Sequence, residues 1–127
     1  MTAPGPLLAH WDPRTATATS WGSVSWLVNG ATVTGAEQTL GVVTIEPGQS
    51  NPLHFHPNCE EILYVVSGQC EHRVGDQKVD LGPGMCICIP RGAPHCARTT
   101  SSERLVVVVS FSSPDRQVVN LEGGDLA

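Results

Sequence analysis

The sequence predicts an all-β protein, and three observations support that prediction. Short runs rich in Val, Ile, Thr and Leu recur along the chain at intervals of about eight to twelve residues. Gly, Pro and Asn punctuate these runs, and the 127 residues include 13 Gly and 10 Pro. Almost no segment keeps the apolar period of an amphipathic helix. The pattern is typical of a β-sandwich or barrel, and the length suits one compact domain.

The elements are predicted in chain order. Residues 1–19 contain three Pro and no apolar period, so we expect an extended N-terminal arm. A first strand is predicted at 21–28, and Asn29-Gly30 is a hairpin signal that leads into a strand at 31–34. The remaining predicted strands cover 39–46, 54–56, 60–67, 69–74, 77–81, 85–89, 95–98, 104–111 and 117–121. The barrel is therefore expected at 20–122, followed by a C-terminal tail at 123–127.

One predicted strand is apolar on both faces. Leu105–Val109 consists only of Leu and Val, whereas a strand with one face in water alternates apolar and polar residues. An uncovered strand of this kind would be prone to aggregation. The run therefore predicts that a second sheet or a second subunit covers it.

Composition excludes several classes of function. The chain has 7 Lys plus Arg against 12 Asp plus Glu, a net charge of -5, so the basic surface of a nucleic-acid binder is missing. The longest apolar runs are far shorter than the ~20 residues of a membrane span. The first ten residues do not resemble a signal peptide. We expect no nucleic-acid partner, no membrane partner and a cytoplasmic protein.

The five cysteines are predicted to be free thiols. An odd number without an export signal favours a reducing compartment over a disulfide framework. Cys86 and Cys88 lie two residues apart and are expected on one face of a strand, where small buried hydrophobic residues are the favoured interpretation. Half of a soft-metal site is the alternative.

Three histidines and a glutamate form a candidate metal group. His54 and His56 project from the same face of a strand, with attachment points about 7 Å apart. Strand alternation places Glu61 on one face and Glu60 on the other, so only Glu61 should reach the imidazoles. His95 follows a turn at 90–94 and can supply a third imidazole from a neighbouring strand. This set of nitrogen and oxygen donors suits Fe, Mn, Ni, Co, Cu or Zn.

Two motifs around these residues resemble the sequence motifs of the cupin superfamily. The first family motif, Gly, five residues, His-x-His, three or four residues, Glu, six residues, Gly, is filled throughout. The second motif, Gly, five residues, Pro-x-Gly, two residues, His, three residues, Asn, is filled except at its last position, where Thr stands. The matching residues are Gly48, His54, His56, Glu61 and Gly68 in the first motif, and Gly84, Pro90, Gly92, His95 and Thr99 in the second.

The resemblance implies a double-stranded β-helix, the cupin or jelly-roll barrel. It implies one divalent transition metal per chain near the barrel mouth, held by His54, His56, Glu61 and His95, and often a homodimer. Thr99 stands where the family has an Asn that is not a metal ligand, so the ligand set is intact.

The resemblance implies a metal-dependent enzyme that acts on a small organic substrate. Four protein ligands leave one or two positions open on an ion that prefers five or six, as a catalytic metal requires. Dioxygenase chemistry on an enol, diketone or aromatic substrate is the first expectation. Non-redox isomerase, lyase or polyketide-cyclase-like chemistry is the alternative, together with a non-catalytic barrel that binds a sugar or another small ligand.

Further residues are candidates for contact with substrate or for support of the metal site. Arg91 precedes His95 and could meet an anionic substrate, although a solvated loop residue is the favoured interpretation. His72 could transfer protons, although a surface position is favoured. Of Trp21 and Trp26, five residues apart and hence on opposite faces of an ideal strand, one could line a pocket; Trp26 is the candidate. Tyr64 lies opposite Glu61 and is expected to pack.

Overall fold

Two antiparallel β-sheets make up the structure, which is a computed structural model that describes residues 7–127. A single turn of 3₁₀ helix at Pro13–Thr15 precedes the first strand. The strands are β1 Thr17–Ala18, β2 Gly22–Val28, β3 Thr39–Ile45, β4 His54–Phe55, β5 Glu61–Ser67, β6 Cys70–Val74, β7 Gln77–Leu81, β8 Cys86–Ile89, β9 His95–Thr99, β10 Leu105–Phe111 and β11 Val119–Asn120. Most of them coincide closely with the predicted runs, because each is a short run of strand-forming residues between turn residues.

The strands are distributed over a six-stranded and a five-stranded sheet. The six-stranded sheet has the order β1-β2-β3-β10-β5-β8, and the five-stranded sheet has the order β11-β4-β9-β6-β7. Every strand pair is antiparallel. This arrangement is the jelly-roll barrel predicted from the sequence.

The doubly apolar strand β10 lies inside the six-stranded sheet. It pairs with β3 on one side and with β5 on the other. Leu105, Val107 and Val109 are buried in the core between the sheets, whereas Val106 and Val108 point outward and are half-buried. The second sheet therefore covers the inner face of β10, one of the two covers that the sequence predicted.

The predicted hairpin at Asn29-Gly30 is wrong. Residues 29–35 form turns and bends, residues 36–38 are irregular, and no strand follows at 31–34. The amide of Gly30 donates to the carbonyl of Pro114 (2.8 Å), and the amide of Val33 donates to the carbonyl of Asn29 (2.9 Å). These bonds satisfy backbone groups that a hairpin would have used, so β2 pairs with β3 across a longer connection.

The chain ends pack on the barrel where the structure describes them. Residues 1–6 of the predicted arm lie outside the described residues. Further along, β1 pairs with β2, and Trp11 Nε1 donates to Ser25 Oγ (3.2 Å). In the tail, the Asp125 carboxylate accepts hydrogen bonds from Ser20 (2.5 and 2.8 Å), and its carbonyl accepts one from Trp21 Nε1 (2.8 Å). The tail is therefore fastened to the segment that begins β2.

Cys86 and Cys88 do not lie in the core, contrary to the favoured interpretation. Both are exposed, because the alternation of β8 places Ile89 inside the barrel and turns the two thiols outward. All five cysteines are free, as predicted.

Thr99 joins the two sheets. Its hydroxyl donates to the carbonyl of Ile45 (3.0 Å), so β9 of the five-stranded sheet is tied to β3 of the six-stranded sheet. Thr99 is buried, and this bond satisfies its hydroxyl.

No helix in the described part of the chain combines the length and the apolar character needed to traverse a bilayer.

Candidate metal centre

The structure brings the four predicted ligands together at one end of the barrel. His54, His56, Glu61 and His95 are all buried, and each offers one donor atom within 4.8 Å of the others. Two donors bound to one transition ion at about 2.1 Å are separated by roughly 3 to 4 Å, so the group is close to the size that a single ion requires.

Both sheets contribute to the group. His54 in β4 lies directly opposite His95 in β9, within the five-stranded sheet. Glu61 begins β5 in the other sheet and points inward with Leu63 and Val65, as the strand alternation predicted. Glu60 is exposed and points away.

A backbone carbonyl fixes each imidazole. Nδ1 of His54 bonds to Pro52 O (2.6 Å), Nδ1 of His56 to Gln117 O (2.8 Å), and Nδ1 of His95 to Ala93 O (2.9 Å). A carbonyl oxygen can only accept, so each Nδ1 carries the proton. In a neutral imidazole Nε2 then holds a lone pair that is free to bind a metal.

The Nε2 atoms of His56 and His95 both lie next to the Glu61 carboxylate. Its Oε1 lies 3.1 Å from His95 Nε2 and 3.2 Å from His56 Nε2. Buried His56 Nε2 makes no well-directed hydrogen bond there. A carboxylate facing neutral Nε2 lone pairs is a cluster of acceptors without a donor, and a divalent cation satisfies such a cluster. The residues therefore fit the metal that the sequence implied.

The protonation states favour a cation as well. Burial, with the charge of His95 acting in the same direction, lowers the pKa of His54 to about 4. Burial raises the pKa of Glu61, but the imidazoles of His56 and His95, which donate to its carboxylate when they are protonated at Nε2, outweigh burial and lower that pKa to about 2. At neutral pH the group thus offers a neutral His54 and an ionised carboxylate.

His72 is buried, so the favoured surface position is wrong. Its ring stacks on that of His95, with centroids 6.0 Å apart, and its Nδ1 has no hydrogen-bond partner. The sequence carried a signal for this, because charged Glu71 and Arg73 flank His72 and strand alternation places it on the opposite face.

A cavity of about 60 Å³ adjoins the four ligands. Trp21 and Trp26 both line it, although five residues separate them. Trp21 precedes β2 and so lies outside the strand, and the alternation of β2 therefore does not relate its ring to that of Trp26. His72 also lines the cavity, whereas Arg91 is exposed and does not.

The cavity has a basic residue that sequence reasoning missed. Arg116 lines it, and its guanidinium lies over the Trp26 ring at 4.2 Å. Leu126 and Ala127 of the tail line it as well. Arg116 lies in an irregular segment after β10, where no local pattern distinguishes a cavity residue from a solvated one.

Cys59 and Tyr64 lie close in sequence to the candidate ligands, and their exposure decides what each can do. Cys59 is buried, and burial raises the pKa of its thiol, so little thiolate forms. Tyr64 lies on the face of β5 opposite Glu61, as predicted, but the residue is 45% exposed, so the expected packing is not seen.

Comparison with known proteins identifies a family and related sequences. A family model described as a cupin domain matches residues 41–111. Protein SchB from Streptomyces halstedii is 32% identical over 79 residues, which cover 62% of this chain and 57% of SchB. Tetracenomycin polyketide synthase protein TcmJ from Streptomyces glaucescens is 30% identical over 74 residues, covering 58% and 50% of the two chains. The chain thus spans about half the length of these relatives.

Solved structures with the same fold include enzymes that act on oxalate. An oxalate decarboxylase from Lactobacillus farciminis, in complex with formate, matches 84% of this chain and 33% of its own, with a TM-score of 0.78 and 23% identity. A recombinant oxalate oxidase in complex with glycolate matches 84% of this chain and 60% of its own, with a TM-score of 0.75 and 25% identity.

Proposed function

The chain belongs to the cupin family, and on this premise we propose that it is a metal-dependent enzyme acting on a small organic molecule. The observation that carries the proposal is the buried group of three imidazoles and one carboxylate that face one another as acceptors beside a cavity. A purely structural barrel has no reason to bury such a group.

We assign the donor atoms as Nε2 of His54, His56 and His95 together with the Glu61 carboxylate. The carbonyls of Pro52, Gln117 and Ala93 hold the three rings in place. When bound, a divalent transition ion supplies Lewis acidity, and a redox-active ion also supplies electron transfer. The apolar walls around the cavity exclude water and strengthen the electrostatic interactions inside it.

Dioxygenase chemistry is the first candidate reaction. Four protein donors leave room beside the ion for more than one small ligand. Iron, manganese, nickel, copper, cobalt and zinc all suit the donors, and a redox-active ion is required for this reaction. The fold neighbours include an oxalate decarboxylase of Bacillus subtilis that is described by its Mn(II) centres.

Non-redox chemistry is the second candidate, and the relatives favour it. Two of them are named as polyketide synthase proteins, TcmJ and CurC of Streptomyces cyaneus, the latter 28% identical over 91 residues. A cyclase, lyase or isomerase would use the same donors with any of the six metals, including zinc.

We also propose a cytoplasmic homodimer. Five free thiols suit a reducing compartment.

The outer face of β5 and the start of β8 form an apolar patch that we call the outer patch. It consists of Ile62, Tyr64, Val66 and Met85, which are 44 to 49% exposed. Contiguous apolar surface of this kind marks an interaction site, and a second copy of the chain can cover it.

The metal assignment is tested by replacing His56 with Ala. Metal content, measured by elemental analysis after purification without added metal, should fall from about one ion per chain to near zero, because one of four donors is lost. His10→Ala is the control, since His10 is exposed and outside the group. An unchanged metal content in His56→Ala would refute the assignment.

Oxygen uptake separates the two reactions. The metal-loaded protein is screened against enols, diketones and aromatic substrates in an oxygen electrode, with product analysis under anaerobic conditions. Uptake that depends on substrate supports the dioxygenase, and anaerobic turnover that survives exchange of the native metal for zinc supports the non-redox enzyme. Binding without turnover in either format would identify a ligand-binding barrel instead.

A further inference from the structure

Arg116 is a partly buried cation that lines the cavity beside the candidate ligands. Among residues 7–127 no carboxylate side chain forms a salt bridge with it. Its guanidinium lies 4.2 Å from the Trp26 ring centroid and 5.4 Å from that of Phe111. Its Nη2 donates a hydrogen bond to the backbone oxygen of Ala127. A guanidinium carries five N–H donors, so this bond leaves donors for a further anion.

Arg116 stands between two cavities. The inner cavity beside the candidate ligands has a volume of about 60 Å³. An outer cleft of about 480 Å³ adjoins it. The residues that line both are Trp26, Arg116, Val118, Leu126 and Ala127. The tail and Arg116 therefore form the partition between them.

Hydrogen bonds and ring contacts fix the position of Arg116 beside the candidate ligands. The Asn58 side chain bonds to the backbone on both sides of it, donating to Asp115 O (2.8 Å) and accepting from Gln117 N (2.9 Å). The carbonyl of Gln117 in turn orients His56. The centroid of the Phe111 ring lies 4.9 Å from the centroid of the His56 ring. The Arg116 guanidinium lies 5.4 Å from the same Phe111 centroid. The Phe111 ring is thus in contact with both the Arg116 guanidinium and the candidate metal ligand His56.

We propose that Arg116 binds a carboxylate group of the substrate, at the position that the main-chain oxygen of Ala127 occupies, and that Leu126 and Ala127 move aside to admit it while Asp125 stays bonded to Ser20 and Trp21. This inference rests on the proposed function and deepens it, because it names the substrate class as a small organic carboxylate. The planar fork of a guanidinium matches a carboxylate with two parallel hydrogen bonds. The flat faces of Trp26 and Phe111 suit an unsaturated or aromatic acid beside it.

The tail is the element that has to move. An inner cavity of about 60 Å³ holds only a few waters, whereas ligand sites are commonly several hundred Å³. Displacing Leu126 and Ala127 joins the cavity to the outer cleft. Gly123 and Gly124, which precede Asp125, both adopt positive φ (80° and 84°), a conformation that glycine reaches without strain.

The test measures binding of benzoate and of its neutral analogue benzamide by calorimetry, with metal-free and metal-loaded full-length protein. Wild-type protein should prefer benzoate. Arg116→Gln should weaken benzoate binding about tenfold or more and leave benzamide within about twofold, since a charge-assisted bidentate pair is lost. Arg91→Gln is the matched control, because it removes the same charge from an exposed loop outside the cavity.

A deletion of residues 126–127 tests the role of the tail, because it leaves Asp125 and its hydrogen bonds to Ser20 and Trp21 in place. It removes the competing backbone oxygen and the partition, so benzoate affinity should rise several-fold. Equal benzoate affinity in wild type and Arg116→Gln, no preference for benzoate over benzamide, or weaker binding after the deletion would overturn the proposal. If Arg116→Gln fails to fold, the wild-type preference and the deletion decide the matter.

Failure of the carboxylate site can be distinguished from failure of the proposed metal-dependent function. In metal-free protein the benzoate preference depends on Arg116 and the tail and not on an ion. Wild-type protein that purifies without metal would therefore refute the metal centre while leaving this test intact, and loss of benzoate selectivity with full metal content would refute only the carboxylate site.

Discussion

Buried imidazoles make the barrel sensitive to acid at the level of single residues. Burial, with the charge of His95 acting in the same direction, lowers the pKa of His72 to about 4 from an ordinary value of 6.5, and His54 behaves alike. Neither imidazole can be protonated in the folded chain until the pH is well below 6.5. The unfolded chain takes up these protons near pH 6.5, so the folded state carries fewer protons between the two values.

The free energy of unfolding of the metal-free protein should therefore be constant above about pH 7 and fall as the pH decreases from 6.5 to 4. The loss should be on the order of 2 to 3 kcal/mol for each imidazole. Urea titrations followed by Trp fluorescence at several pH values measure it. His72→Gln removes one of the two groups and should reduce the fall by about half. An identical pH dependence in the variant would contradict the assignment to His72.

The residues of the centre differ in how far sequence could predict them. His54, His56, Glu61 and His95 were identified because their spacing lies within two local motifs. His72 had only strand alternation to indicate its inward side. Arg116 had no signal, since its place beside Trp26 depends on the path of a loop and on the Asn58 contacts, which join residues about sixty positions apart.

At the level of elements, the pairing of β2 with β3 depends on Gly41. Gly41 lies opposite Trp26, and a Cβ there would come within 2.6 Å of the indole ring and 2.9 Å of Ser25 O. Gly41→Ala should thus displace the ring over which Arg116 lies and destabilise the fold by about 1 to 3 kcal/mol. Thermal unfolding and the Trp emission spectrum report both effects.

Gly82→Ala is the matched control for that experiment. The nearest contact of its added Cβ is Gln69 Cγ at 3.8 Å, an ordinary van der Waals distance. Its stability should remain within about 0.5 kcal/mol of wild type. Equal stability of Gly41→Ala and Gly82→Ala would show that the Trp26 ring does not depend on the glycine.

Strands were predictable where runs rich in Val, Ile, Leu and Thr lie between turn residues. β5 and β10 were found almost to the residue, because such a run and the turn residues beside it are local properties of the chain. The strand at 31–34 was wrong because Gly30 bonds to Pro114, eighty-four positions away, and no local pattern reports such a contact. β1 was missed since its two residues carry no apolar period.

At the level of the whole molecule, the outer patch predicts the oligomeric state. Size-exclusion chromatography with light scattering should give twice the monomer mass. Tyr64→Lys places a charge at the patch and should shift the mass towards the monomer, because a buried unpaired charge opposes association. Val79→Lys, at a comparably exposed residue of the five-stranded sheet, should leave the mass unchanged. A wild-type monomer, or a Tyr64→Lys dimer, would contradict the proposed interface.

The division of the four donors between two sheets has a consequence for biogenesis. His54 and His95 come from one sheet and Glu61 from the other, so the cluster does not exist until the sandwich has closed. An ion that needs all four donors would consequently bind only after the two sheets have packed together. Because such donors accept several transition metals, the cellular supply at that moment then selects which one is acquired.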